Sequence, residues 1–176
     1  METQFIELCK SGDLIGLQHL LQLNPDINIS VYNEKAFRLA FYNRHLHVCQ
    51  WLLEVKPNIN ISAVNEQAFH CACFNGHLDV CQWLLQVSKE KVQDINISTR
   101  DEEAFRWACY YGRLHICQWL LQVSKEKGQD INISAKNEWA FRKSCNKGHL
   151  HVCQWLQSLK PYLYVIEYDE DGKIKC

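Results

Sequence analysis

The sequence predicts an all-α solenoid of about five helix-turn-helix units joined by short extended finger loops. Three recurrences carry that prediction. CQWL occurs at residues 49, 81, 117 and 153, and INIS occurs at 27, 59, 95 and 131. A motif of Asn or Asp, Glu, any residue, Ala and Phe begins at 33, 65, 101 and 137. All three step by 32, 36 and 36 residues. A period in this range marks a stack of supersecondary units, none of which can bury its apolar face alone.

The first copy is degenerate. FIELCKSGDLIGLQHLL places Phe5, Cys9, Gly12, Leu14 and Leu17 where Phe69, Cys73, Gly76, Leu78 and Cys81 stand later. The repeat domain is therefore 2–161, in units 2–32, 33–64, 65–100, 101–136 and 137–161. Within a unit, the first helix opens at Asn33, Asn65, Asp101 or Asn137, read as N-caps, and the Glu that follows suits the positive helix end. Gly76, Gly112 and Gly148 fit a left-handed C-cap, a place taken under mild strain by Arg44 in the second unit. The second helix then sets Leu46, Cys49, Leu52 and Leu53 on one face. INIS and two variable residues form the extended loop. The 36-residue units hold four extra residues around SKEK at 88–91 and 124–127, one further turn of the second helix with a solvated tip. The tail, 162–176, lacks these signals. Val165, Ile166, Tyr168 and Ile174 around Asp171-Gly172 predict an extended cap or hairpin that covers the last unit and shields Trp155.

The pattern resembles ankyrin repeats. NGHLDVCQWLL (75–85) matches the family's Gly-His, aliphatic pair and double Leu, and DIN (94–96) stands beside its Asp-Val-Asn. QAFH (67–70) replaces the family's Thr-Pro-Leu-His, and the finger is one residue shorter, a variant that looks most like the divergent ankyrin arrays of giant viruses of amoebae and their hosts. A tetratricopeptide array has a similar period but no extended loop for INIS to fill.

The repeat also answers two local puzzles. HCACFNGHLDVC (70–81) carries zinc-ligand residue types, but Cys71 corresponds to Leu39, Trp107 and Lys143, and Cys81 to Cys49, Cys117, Cys153 and Leu17. Positions that exchange Cys for Leu or Phe are core positions. Cys71 and Cys73 also lie roughly 200° apart around a helix, too far to grip one ion. The sequons at Asn28, Asn60, Asn96 and Asn132 recur because the loop recurs, so each Asn is read as a turn residue bonding nearby backbone. The resemblance adds β-hydroxylation of this Asn by an asparaginyl hydroxylase, although Ile rather than Ala follows it here. No catalytic motif is present, so no cofactor and no metal are expected. Trp51, Trp83, Trp119 and Trp155 form a column, expected to tile the seam between neighbouring second helices. Phe37, Phe69, Phe105 and Phe141 are core anchors beside Ala40, Ala72, Ala108 and Ser144.

Nineteen basic residues against 20 acidic ones give no surplus that would attract nucleic acid. With no signal-like leader and no run long enough to span a bilayer, the chain is expected to be a cytoplasmic monomer, in the host cytoplasm if viral. The resemblance implies a non-enzymatic adaptor or scaffold that binds another protein on a concave face of fingers and first helices. Two alternatives are the recognition fragment of a larger complex, such as a ubiquitin ligase receptor, and a thiol-based redox or metal-binding protein. Positions 36, 37, 40 and 41 and their equivalents stay small or apolar and form the core stripe, whereas 35, 42, 43 and the loop pairs vary. Positions released from packing are free to specialise. The candidate partner-binding residues are Tyr42, Phe74, Asn75, Arg100, Arg106, Tyr110, Tyr111, Lys136, Trp139 and Arg142, rich in the types that dominate interface hot spots. Trp107, whose equivalents include Leu39 and Cys71, is expected to be packed between units.

Overall fold

The computed structural model describes residues 1–168, 170, 174 and 175. Its chain forms two compact bodies: Met1–Ala72 with Asp79–Ile95, and Cys73–Leu78 with Asn96–Cys176. Ten helices lie among the described residues: α1 Glu2–Ser11, α2 Leu14–Leu23, α3 Val31–Tyr42, α4 Leu46–Val55, α5 Ala63–Asn75, α6 Leu78–Glu90, α7 Thr99–Tyr110, α8 Leu114–Lys127, α9 Ala135–Asn146 and α10 Leu150–Leu159. The fold is all-α and built of helix pairs. In the first body α1 packs on α2 and α3, and α3 on α4; in the second α7 packs on α8 and α9, and α9 on α10. The insertion does extend the second helix. α6 and α8 run 13 and 14 residues where α2, α4 and α10 run 10. Ser88 and Ser124 turn inward on the added turn and donate to the carbonyls of Leu85 and Leu121 at 2.8 and 2.9 Å.

The core is the repeated apolar set. Phe37, Phe69, Phe105 and Phe141 are at most 4% exposed, and Cys49, Cys81, Cys117 and Cys153 are fully buried. The isoleucines of the first three loops are buried as well. Each Asn of the loop closes a turn, its Oδ1 accepting from the N–H of Ser30, Ser62, Ser98 or Ser134 at 3.0–3.1 Å. Trp51 lines a cavity with Gln18, Leu21, Gln22 and Val55, between second helices α2 and α4, and three of the tryptophans also reach further. Trp51 lies over Phe5 at 6.4 Å, Trp83 over Phe41 at 5.5 Å and Trp155 over Phe105 at 6.3 Å, so each reaches the first helix of a preceding repeat.

The N-cap reading is overturned. Asn33 is the middle of three consecutive left-handed residues, Tyr32, Asn33 and Glu34, with φ of 54, 54 and 59°. The same triplet recurs at Val64–Glu66, Arg100–Glu102 and Lys136–Glu138. Left-handed backbone costs L-residues about 1–2 kcal/mol each, so something must hold it. Arg38 donates from Nε to the Asn33 carbonyl at 2.9 Å and from Nη2 to that of Tyr32 at 3.1 Å. Arg106 repeats this on Asp101 and Arg100 at 2.7 and 3.1 Å, and Arg142 on Asn137 at 2.8 Å. The Glu expected to favour the helix dipole is buried instead. Glu34 accepts from the Asn60 N–H at 3.3 Å and Glu102 from the Asn132 N–H at 3.2 Å, tying each first helix to the following finger. Gln93 clamps the preceding finger by accepting from Ile61 N–H at 3.0 Å and donating to the Ile59 carbonyl at 3.1 Å.

Gly12 needs its lack of a side chain twice over: its φ is 80°, and a Cβ would stand 2.5 Å from the His45 ring. Arg44 is left-handed at φ 62° and reaches Asp79 at 2.9 Å, which holds that carboxyl below its usual range. His47, His115 and His151 donate from Nε2 to the carbonyls of Gly12, Gly76 and Gly112 at 3.0–3.1 Å.

In the tail, β1 (Glu167–Tyr168) pairs antiparallel with β2 (Ile174–Lys175), and β2 lies against α9. The expected turn at Asp171-Gly172 lies outside the described residues. Tyr164 is 1% exposed and stacks on Phe141 at 4.3 Å and 9°, while its hydroxyl donates to Glu138. Lys160 donates to the Ser134 hydroxyl. Tyr164 of the tail thus covers the Phe141 ring. Tyr164 does for Glu138 what a following finger's N–H does for Glu34 and Glu102.

Two stability predictions follow from these contacts. Phe105→Ala should cost about 3–5 kcal/mol in urea unfolding; a loss under about 1 kcal/mol would contradict its burial. Tyr164→Phe should cost about 1 kcal/mol, the hydroxyl's bond. Tyr164→Ala should cost about 3–5 kcal/mol, the ring's burial. Equal effects of the two Tyr164 variants would show that the stacking contributes nothing.

Candidate partner-binding surface

Five aromatic side chains gather on the first-helix side of the second body, and local sequence explains how. Trp107 and Tyr110 close α7 and Tyr111 follows as its C-cap, spaced so that 107 faces 110 and 111 one turn on. Trp107 lies 5.2 Å from Tyr110 and 5.9 Å from Tyr111, and the two tyrosine rings are 5.0 Å apart. Trp139, near the start of α9, closes on Trp107 at 5.4 Å and on Tyr110 at 5.7 Å. Phe74, in the short segment that belongs to this body, meets Tyr111 at 5.6 Å. Tyr111 is 44% exposed, and the other four rings are half-buried. Such mutual ring contacts hold an apolar surface rigid while leaving it accessible.

Cations flank the rings. The Arg106 guanidinium stands 5.1 Å over Trp139 and the Lys147 ammonium 4.9 Å over Tyr110. The Tyr110 hydroxyl beside Lys147 pushes that ammonium's pKa up. Lys136 pairs with Asp101 at 2.7 Å and holds its carboxyl below the usual range. Arg100 pairs with Glu103 at 3.2 Å.

Of the sequence candidates, Phe74, Arg106, Tyr110, Tyr111 and Trp139 come together in this cluster. Arg100 and Lys136 stand at the finger edge beside it. Arg142 is exposed, with Nε committed to its own turn. Asn75 is half-buried next to Phe74, and Tyr42 is 48% exposed in the first body. Sequence comparison missed two members. Trp107 is the hub of the cluster, not only a packing residue; the contrast with Leu39 and Cys71 at its equivalents was the available signal. Lys147 was passed over because one lysine in a variable position carries no sign of the ring it will cover.

Four buried thiols are of the opposite character to a reactive centre. Burial pushes Cys9 up to about 12, and it raises Cys49, Cys109 and Cys153 as well. An activated thiol needs its pKa lowered. Among the described residues no group of three or more His, Cys, Asp or Glu converges as metal ligands would. Among them, too, no helix is long and apolar enough to cross a membrane.

A family model described as ankyrin repeats (3 copies) matches residues 5–101 and, overlapping it, 61–137. The chain belongs to the ankyrin repeat family, whose members are generally protein–protein interaction modules. No curated protein matches the chain.

The raised thiols imply a pH dependence. An unfolded Cys9 titrates near 8.5 and the folded one near 12, so the unfolded state loses its proton first. Stability from this group is whole below about pH 8.5 and falls as pH rises towards 12, by about 2.7 kcal/mol at pH 10.5. Thermal unfolding should show a steeper alkaline decline in the native chain than in Cys9→Ala. Parallel curves would refute the assignment.

Proposed function

We propose that this protein is a non-enzymatic adaptor or scaffold that binds a partner protein on its finger and first-helix side. The observation that supports the reading best is the contiguous cluster of Phe74, Trp107, Tyr110, Tyr111 and Trp139, accessible and edged by Arg106 and Lys147. Packing inside the repeat does not account for it. The core needs are met by Phe105, Ala108 and Cys109 on the opposite side of α7, each fully buried. Rigid aromatic anchors with adjacent arginine are the composition of interface hot spots. The buried, proton-holding thiols favour this reading over thiol chemistry.

Tyr110→Ala with Tyr111→Ala should weaken partner binding by about 2 kcal/mol or more, while the circular dichroism spectrum and melting point hold. Calorimetry with the partner checks it. Unchanged affinity, or affinity lost only through substitution of Trp51, Trp83, Trp119 and Trp155, would place binding elsewhere.

A further inference from the structure

The aromatic surface changes character at its end. One repeat beyond Trp107 and Tyr111, the equivalent positions are Lys143 and Lys147. The apolar strip of α7 thus continues into a cationic strip on α9 and the residue after it. Lys147 reaches back over Tyr110 and Arg106 lies over Trp139, so strip and rings form one surface.

The nearby carboxylates are committed: Asp101 to Lys136, Glu103 to Arg100, Glu102 to the Asn132 N–H and Glu138 to the Tyr164 hydroxyl. Among the described residues no carboxylate lies at ion-pair distance from Arg106, Arg142, Lys143 or Lys147. Two ring faces already carry the protein's own cations, which disfavours a cationic ligand there. Three of the ring pairs meet edge to face, at 65–87°, and three lie closer to parallel, at 26–34°.

We infer that this surface takes an acidic protein segment carrying an apolar anchor, the anchor against Trp107, Tyr110, Tyr111 and Trp139 and the carboxylates on Arg142, Lys143 and Lys147. The inference rests on the reading of this face as the partner-binding surface and adds the class of partner. Charge complementarity of this kind selects partners and speeds encounter, and it weakens with salt.

The test is selection of a random twelve-residue peptide library on the full chain, with counter-selection on Tyr110→Ala/Trp139→Ala. The peptides retained should be net acidic and carry Leu, Ile, Phe or Trp. Their affinity, read by fluorescence anisotropy, should fall about tenfold in Lys143→Glu/Lys147→Glu at low salt, and the difference should shrink at high salt. Both lysines are outside the buried core, and circular dichroism confirms that the variant folds. Retained peptides that are basic or uncharged would overturn the inference and leave the surface reading standing. So would a labelled dodecathymidylate that binds the same surface more tightly than any peptide. Failure to retain any peptide that depends on the rings would overturn the surface reading and the inference together.

Discussion

A buried carboxylate holds successive repeats in register. Glu34 and Glu102 each accept a backbone N–H from the finger of the following repeat, Asn60 or Asn132. Each of these Asn residues closes its own turn with its side chain on a serine N–H, while its backbone N–H goes to the Glu. A buried donor left unmade would cost about 1–3 kcal/mol. Glu34 and Glu102 meet these part-buried donors. Where the chain stops repeating, Tyr164 supplies a hydroxyl to Glu138 and a ring to Phe141. Repeat proteins need a polar-compatible end over the last apolar face, and here one tyrosine meets both requirements.

The same Glu explains the backbone before it. Its side chain reaches the next finger only because the preceding residues turn left-handed, a strained path for Tyr32 or Val64. Arg38, Arg106 and Arg142 secure that path by bonding carbonyls of the turn. Arg106 then has two duties. Its donors hold the turn, and its face lies on Trp139, so the finger's geometry and the candidate binding surface are linked through one side chain.

The surface itself is a departure from the repeat. α7 and α9 have the same buried side, and the specialised residues lie where packing imposes nothing. Trp107, Tyr111 and Trp139 stand where other repeats carry Leu39, Asn43 and Lys35. Edge-to-face and stacked contacts among the rings keep them ordered without burying them. The lysines that follow add charge at the border, where water still weakens pair energies but does not cancel long-range attraction.

The architecture was legible in the sequence because repetition multiplies a weak signal. Any one copy of CQWL or INIS is uninformative; four copies at one period define helix pairs, core cysteines, Phe anchors and the Asn turns. The helix extension at SKEK was legible too, since four residues fit a helical turn. Unit-by-unit variation pointed to Phe74, Tyr110, Tyr111 and Trp139. What only tertiary structure decided were contacts between residues distant in sequence. Nothing local to Asn33 or Glu34 announces a left-handed turn, because that strain is compensated by Arg38 and by a finger 26 residues away. The role of Tyr164 depends on the orphaned carboxylate of Glu138, and that of Lys147 on a ring 37 positions earlier in the chain, Tyr110. Local sequence sets which conformations are cheap; the partners brought in by packing decide which costly ones are kept.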